Sequence, residues 1–324
     1  MIIVTGGAGF IGSNLVYGLN KIKQKNIIIC DTANSVLKKN YLKKAKYKKI
    51  ISPSNFFYFL EKNKKEIKYI FNLGAITATT SLNFKKLLKN NVVFPIKILE
   101  FCTKNKIGFI YASSASTYGN GSNGFKDSEN YVYLNKLKPL NLYGKSKHLF
   151  DLHVSKKIKE KKLPIQWVGL KFFNVYGKNE KHKKKQMSII SYLTPLINNN
   201  EKINLFKSHK KNFKDGEQKR DFIHISDCIN VILWFYKNNK VSGLFNVGTG
   251  RARTFIDTIK VLFKQLNKKE KINFIDTPKN IRKHYQYFTE ANINKLRKYG
   301  YKKKFKDIED GIKLFVKKNK KIIR

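Results

Sequence analysis

Tyr143 and Lys147 stand four residues apart in YGKSK (143–147). On a helix that spacing places both side chains on one face, about one turn apart. An unperturbed phenol has a pKa near ~10 and is a poor base at neutral pH. A neighbouring ammonium favours the phenolate, and a cationic nicotinamide ring would act in the same direction. Such a pair can take a hydroxyl proton while hydride leaves the carbon. Upstream, YASSASTYG (111–119) ends an apolar run, and Ser114 there would present its hydroxyl to a substrate oxygen. In a chain this rich in lysine, the Tyr–Lys spacing alone would describe many surface pairs, so its weight comes from what surrounds it.

That surrounding begins at VTGGAGFIGSN (4–14), where Gly6, Gly9 and Gly12 lie between an apolar run and a helical pattern. Glycine lets the backbone turn tightly and approach a pyrophosphate, which then faces the free N–H groups of the helix that follows. Phe10 and Ile11 belong to the same turn. Asp31 closes the next apolar run, followed by Thr32. An acid there suits the ribose hydroxyls of NAD. Lys38 and Lys39 follow within reach and could hold the 2′-phosphate of NADP.

These residues need elements to position them. Apolar runs at 2–6, 26–31, 67–75, 108–114 and 165–173 read as strands, and helical patterns at 11–24, 83–105 and 141–162 alternate with them. The alternation predicts an α/β fold: a doubly wound parallel sheet of Rossmann type, covered on both faces, with ligands at the strands' C-terminal ends. The expected division is 1–175 as dinucleotide-binding domain. Residues 176–324 form a mainly substrate-binding portion, from which some segments return to the sheet domain. Loops such as 207–219 are long and polar.

Composition sets the outer limits. At 324 residues with 41% hydrophobic content, the chain can bury a sizeable core. No apolar run reaches the ~18 residues of a membrane span. MIIVTGG starts without a charged leader, so a cytoplasmic protein is expected. Cys30, Cys102 and Cys228 are scattered and form neither a disulfide framework nor a metal site. The net charge of +47 spreads along the whole chain. That pattern fits compositional drift better than a nucleic-acid surface, and neither nucleic acid nor membrane is expected as a partner. An anionic small substrate would be attracted to such a chain.

The set VTGGAGFIGSN, NLGA, YASSASTYG, YGKSK and FFNVYG resembles the extended short-chain dehydrogenase/reductases, Rossmann enzymes acting mostly on nucleotide sugars. The resemblance implies catalytic roles for Ser114, Tyr143 and Lys147. It also implies that Asn72, Leu73, Gly74, Ala75, Ile76, Thr77 and Asn90 line the cofactor, with Asn174 and Val175 near nicotinamide and sugar. Four further stretches, FFNVYGKNEKHKKKQMSII (172–190), FKDGEQKRDFIHISD (213–227), LFNVGTGRARTF (244–255) and HYQYFTEANI (284–293), are similar to the ADP-glyceromanno-heptose 6-epimerases. For that family the implied substrate is ADP-manno-heptose, the cofactor NADP with NAD as the other candidate, and the assembly a homo-oligomer, by resemblance a pentamer. Inverting a carbinol carbon needs a proton partner on each side of a ketone. The resemblance makes the second one Lys183, which follows His182, although Lys184 and Lys185 come next. Glycine is common in the family where this chain has Lys184, a departure that bears on the local backbone shape and not on the presence of an amine.

Implied substrate contacts are Asn174, Lys185, Tyr192, Phe206, Lys207, Ser208, His209, Tyr285 and Arg220, the last toward the diphosphate. A structural ion pair with Asp221 or Asp227 is the other use for Arg220. Three rivals remain. A C4-type nucleotide-sugar epimerase shares the first half of the motifs. A dehydratase would need a carboxylate pair where Ala115 and Ser116 stand. A non-enzymatic NAD(P)- or RNA-binding protein would not need the Ser–Tyr–Lys set.

Overall fold

The computed structural model describes residues 1–33, 35–79, 82–282 and 285–320; the side chains of residues 185, 280 and 318–320 also fall outside the description. Four short runs rich in β-branched residues open the sheet: β1 (Ile2–Thr5), β2 (Ile27–Cys30), β3 (Lys49–Ile51) and β4 (Tyr69–Asn72). Strands β5 (Gly108–Ser114) and β6 (Trp167–Phe172) follow. Then come β7 (Asn174–Tyr176), β8 (Ile203–Phe206), β9 (Lys219–Arg220), β10 (Phe222–His224) and β11 (Gly243–Val247). Seven of them form one sheet in the order β11-β6-β5-β4-β1-β2-β3, every pair parallel.

Because parallel strands need crossovers, helices cover both faces. They are α1 (Phe10–Lys21), α2 (Val36–Leu42), α3 (Phe56–Lys62), α4 (Phe84–Leu88), α5 (Phe94–Lys104), α6 (Tyr131–Asn135) and α7 (Leu142–Lys159), with α8 (Ile189–Asn198), α9 (Ile225–Lys237) and α10 (Phe255–Leu266) after them. One core packs α1 and α9 against the sheet through Leu15, Val16, Cys228 and Ile232. A second packs α3, α5 and α7 on the opposite side through Phe56, Leu99 and Phe150. The third joins α8, α10 and the C-terminal helix Ile308–Lys320 through Leu193, Leu262 and Ile312, away from the sheet.

Two differences from the sequence reading have physical causes. The single helix expected over 83–105 is broken: α4 and α5 flank a π-turn at Lys89–Val93, with Pro95 in the first turn of α5. A π-turn carries one extra residue and re-aims the side chains around it. It buries Asn91, whose Oδ1 accepts Ile76 N at 2.9 Å and whose Nδ2 donates to Ile76 O at 2.9 Å. The sheet's last strand, β11, comes from LFNVG in the C-terminal half and pairs with β6. Helix α9 leads into it, but β7 to β10 interrupt the crossover from β6, so the simple strand–helix alternation does not assign it. Cys30, Cys102 and Cys228 are buried free thiols. Among the described residues, no helix is long and apolar enough to cross a membrane.

The glycine turn after β1 leaves no room for side chains at two of its positions. Gly6 has φ +65, and a Cβ on Gly12 would stand 2.1 Å from Gly6 O. Those neighbours are backbone and cannot rotate aside. Gly12→Ala is expected to cost the ~1–3 kcal/mol typical of overpacking. It should lower the thermal midpoint by several degrees in a circular-dichroism melt and reduce dinucleotide retention through purification.

Candidate active site

The C-terminal ends of β1, β2, β4, β5 and β6 bring the candidate residues to one edge of the sheet. After β1, β2 and β4 lies a cleft of about 400 Å³, lined by Gly6, Gly9, Phe10, Ile11, Gly12, Asp31, Thr32, Lys38, Leu73 to Thr77, Asn90, His182 and Lys183. The residues assigned from sequence to the glycine turn, the β2 end and the β4 end are in that wall except Asn72, which is buried and accepts Thr5 Oγ1 at 2.7 Å. Asp31 is held in place: its Oδ2 accepts Ala8 N at 3.0 Å, and its Oδ1 accepts Ala33 N at 3.1 Å and Lys38 Nζ at 2.9 Å. Lys39 is exposed, so of the two adjacent lysines only Lys38 reaches the cleft. Asn90 lines the cleft while donating to Lys86 O, and its neighbour Asn91 grips the backbone at Ile76. The π-turn is what separates these two roles. A larger cavity of about 520 Å³ between α1 and α9 contains none of the sequence-assigned residues.

Ser114, Tyr143 and Lys147 lie further along the sheet edge. Asn141 caps α7 by accepting Gly144 N at 2.8 Å, which fixes Tyr143 in the helix's first turn. The positive end of the helix dipole there favours a phenolate. Burial raises the Tyr143 phenol, a hydrogen bond with Ser114 lowers it, and Asp151 raises it further. Within the chain alone, Ser114 is therefore the group that acidifies the phenol. Lys147 Nζ donates to Ala112 O at 2.8 Å, and burial pulls its ammonium down to about 8.

Lys183 reaches the dinucleotide cleft on a clamped segment. Glu180 is buried, and its carboxylate accepts Gly177 N at 2.9 Å, Ser188 N at 2.7 Å, Ser188 Oγ at 2.8 Å and Ser191 Oγ at 2.6 Å. Asn179 Nδ2 donates to Ser13 Oγ on α1 at 2.9 Å, and His182 N donates to Tyr41 OH on α2 at 3.0 Å. The clamp sets the Lys183 ammonium 5.5 Å from the centre of the Phe10 ring. Burial lowers its pKa and Glu180 opposes this, which moves the amine toward use as a base near neutral pH. Lys184 keeps a glycine-type backbone: it adopts φ 51, ψ -124, a conformation that glycine tolerates and that strains a residue with a side chain.

The remaining candidates form a second cluster. Arg220 is buried, with burial lowering it to about 10. Its Nη1 donates to Lys219 O at 2.9 Å and its Nη2 to Gln286 O, while the guanidinium lies 5.4 Å from the Phe255 ring and 5.7 Å from Tyr285. Neither carboxylate named as its alternative partner takes it. Asp221 accepts Thr249 N, Thr249 Oγ1, Gly250 N and Ala291 N, and Asp227 pairs with Lys306 at 2.8 Å. Tyr285 meets Phe206 at 6.0 Å and His209 at 6.1 Å between ring centres.

Ser208 N donates to Asp215 Oδ1 at 2.7 Å, and Lys207 turns outward to Asp276 at 3.2 Å. Tyr192 is 43% exposed on α8. Asn174 N donates to Asp221 O at 3.0 Å, and Val175 pairs with Ile223 across β7 and β10. The side chain of Lys185 lies outside the described residues. Sequence reading missed Tyr287, whose OH bonds His209 Nδ1 at 2.9 Å, and Gln286, whose Nε2 donates to Gly119 O at 2.5 Å. Gln286 thereby links the Arg220 cluster to the loop after Ser114. Both missed residues sit beside Tyr285 in HYQYF, and their polar character among aromatics was the available signal.

Residues 2–248 match the family described as NAD dependent epimerase/dehydratase. The chain belongs to the NAD dependent epimerase/dehydratase family. Family membership makes a nicotinamide dinucleotide the cofactor and a nucleotide sugar the substrate class. The chain is 40% identical over 324 residues to the ADP-L-glycero-D-manno-heptose-6-epimerase of Fusobacterium nucleatum, covering 98% of this chain and 97% of that one. It is 40% identical to the enzyme of the same name from Brachyspira hyodysenteriae, over 97% and 96% of the two chains. Among solved structures, the Helicobacter pylori ADP-L-glycero-D-manno-heptose-6-epimerase superposes with a TM-score of 0.77 at 29% identity, over 98% and 95%. A pyrophosphate is held by a tight backbone turn at a helix N-terminus, and the turn at Gly6 to Gly12 is that tight because a Cβ at Gly6 or Gly12 would strike backbone, at 2.6 Å from Gly74 Cα or 2.1 Å from Gly6 O.

Lys184→Gly is expected to raise the thermal midpoint, because relief of ~1–3 kcal/mol of backbone strain exceeds glycine's entropic cost of ~0.5–1 kcal/mol. Lys184→Ala, which keeps a Cβ, should give no such gain in the same melt.

Proposed function

We propose that the chain interconverts ADP-D-glycero-β-D-manno-heptose and ADP-L-glycero-β-D-manno-heptose at C6″, the heptose supply for lipopolysaccharide core. The observation that carries this reading is Lys183: a clamped, partly desolvated amine in the wall of the dinucleotide cleft, on a different element from Tyr143. The bound dinucleotide supplies a hydride acceptor and then a hydride donor. Tyr143, hydrogen-bonded by Ser114, takes the C6″ hydroxyl proton as hydride leaves, and a ketone forms. Hydride returns to the other face of that ketone, and Lys183 gives the new alkoxide its proton. Lys147, one helical turn from Tyr143, would supply positive charge toward the phenolate and hold the nicotinamide ribose when the dinucleotide is bound. Arg220, unpaired by Asp221 or Asp227, takes the diphosphate with a fork of N–H donors. Phe206 and His209 flank the adenosine, and Tyr285, beside Arg220, meets the sugar diphosphate.

The cofactor reading is NADP. Lys38 neutralises Asp31, so the carboxylate does not repel a 2′-phosphate, and His182 stands close enough to feel Lys38. The cytoplasm is the proposed compartment. A homo-oligomer is proposed on resemblance, five copies, with mass by light scattering as its check.

ADP-D-glycero-manno-heptose incubated with purified protein and no added cofactor should yield the L-glycero product. Tyr143→Phe and Lys183→Met should each slow that turnover at least ~100-fold, the lower range for losing a general acid or base. If Lys183→Met turns over like the wild type, the second proton partner is another residue and the 6-epimerase reading loses its support. Denatured protein should release NADP rather than NAD, as read by mass spectrometry.

A further inference from the structure

Behind the serine strand, a charge pair is buried completely. Lys171 on β6 and Asp151 on α7 lie 2.5 Å apart, and neither side chain has exposed surface. Ser113 Oγ donates to Asp151 Oδ2 at 2.7 Å, and Tyr111 OH donates to Oδ1 at 3.1 Å. Lys171 Nζ also donates to Thr117 Oγ1 at 2.8 Å and sits 4.9 Å from the centre of the Tyr118 ring. Desolvating two charges is costly, and apolar residues of similar volume would often stabilise a fold as well. A pair kept here calls for a role other than stability.

Its placement supplies one. Tyr143, Lys147 and Asp151 follow at four-residue intervals, on one face of α7. Asp151 takes hydroxyl bonds from Tyr111 and Ser113, while Lys147 donates to the carbonyl of Ala112 between them. Three consecutive residues of β5 are thus gripped from one helix face, and the next residue is Ser114. We propose that Asp151 and Lys171 are positioning residues for the reaction: they lock β5 to α7 in the register that joins Ser114 to Tyr143, and Asp151 is the counter-charge of Lys147. This rests on the epimerase reading above.

The other titratable groups nearby do not compete for that part. Tyr143 and His148 share α7, Tyr111 lies on β5, Tyr118 follows it, and Lys89 is on the packed π-turn. Glu129, ahead of α6, is paired with Lys295. Burial raises the Tyr111 and Tyr118 phenols and lowers His148 to about 4, so all three are neutral near pH 7. Burial lowers Lys147 to about 8 against the pull of Asp151. Removing the Asp151 anion must therefore move the Lys147 titration down in pH.

The test is the double variant Asp151→Asn/Lys171→Met, which removes both charges and leaves no uncompensated ion. The titration of Lys147 is followed by NMR of lysine side chains, with Lys147→Met for assignment. The proposal expects its midpoint to fall by ~0.5 pH unit or more. It also expects kcat at pH 8 to fall ~10-fold with KM held, and Asp151→Glu to restore much of both. Loss of thermal stability with kcat and the Lys147 midpoint unchanged would make the pair structural and overturn the proposal.

If the double variant does not fold, Ser113→Ala decides, since it removes one bond to Asp151 and keeps both charges. A several-fold loss in kcat with KM held supports the register lock, and an unchanged kcat overturns it. The Lys147 titration needs no substrate. An inactive wild type would therefore end the epimerase reading while leaving this pair's effect on Lys147 measurable.

Discussion

Helix α7 meets strand β5 through largely buried polar groups, and the arrangement of the candidate active site depends on that contact. Lys147 reaches a strand carbonyl, Asp151 reaches two strand hydroxyls, and Tyr143 reaches Ser114. Buried hydrogen bonds of this kind are costly to leave unmade, so the register between helix and strand has few alternatives. The phenol is thereby placed at the helix's positive end and beside the one hydroxyl that acidifies it. Burial acts the other way, raising Tyr143.

The second amine is positioned by a different device. Glu180 binds the turn between β7 and α8 through four donors, and Ser13 and Tyr41 tie that turn to the elements beside the dinucleotide cleft. The segment must turn sharply just after Lys183, and Lys184 takes on a backbone shape suited to glycine. Strain at this point is consistent with a segment held in place by its surroundings rather than by local preference. Arg220 completes the picture as a buried cation surrounded by carbonyls and rings rather than by a carboxylate. Such a cation favours an anionic ligand.

Much of this was legible in the amino-acid order, for reasons that differ by residue. The glycine turn, Asp31 and the Tyr143–Lys147 pair read clearly because spacing and local conformation alone constrain them. Strand β5 was read with its true bounds because a run of apolar residues ends at a serine-rich turn. The π-turn was hidden, since one extra residue in a helix leaves the apolar pattern almost intact. Strand β11 was hidden because its partner β6 lies far away in sequence. Glu180, Asp151 and Gln286 escaped because their importance arises from buried partners, which composition does not reveal. Sequence left Arg220 open between an ion pair and a diphosphate, and the engagement of Asp221 and Asp227 elsewhere removes those two ion pairs.

The central claim is that one carbon gives up hydride and receives the same hydride back inside a closed site. ADP-heptose carrying deuterium at C6″ tests it directly, with product followed by NMR and mass spectrometry in ordinary water. Hydride held by a nicotinamide does not exchange with solvent, so the epimerised product should keep essentially all of its deuterium. Loss of the label to water at the rate of epimerisation would mean that the carbon is inverted by proton removal, and hydride return to the ketone would be ruled out.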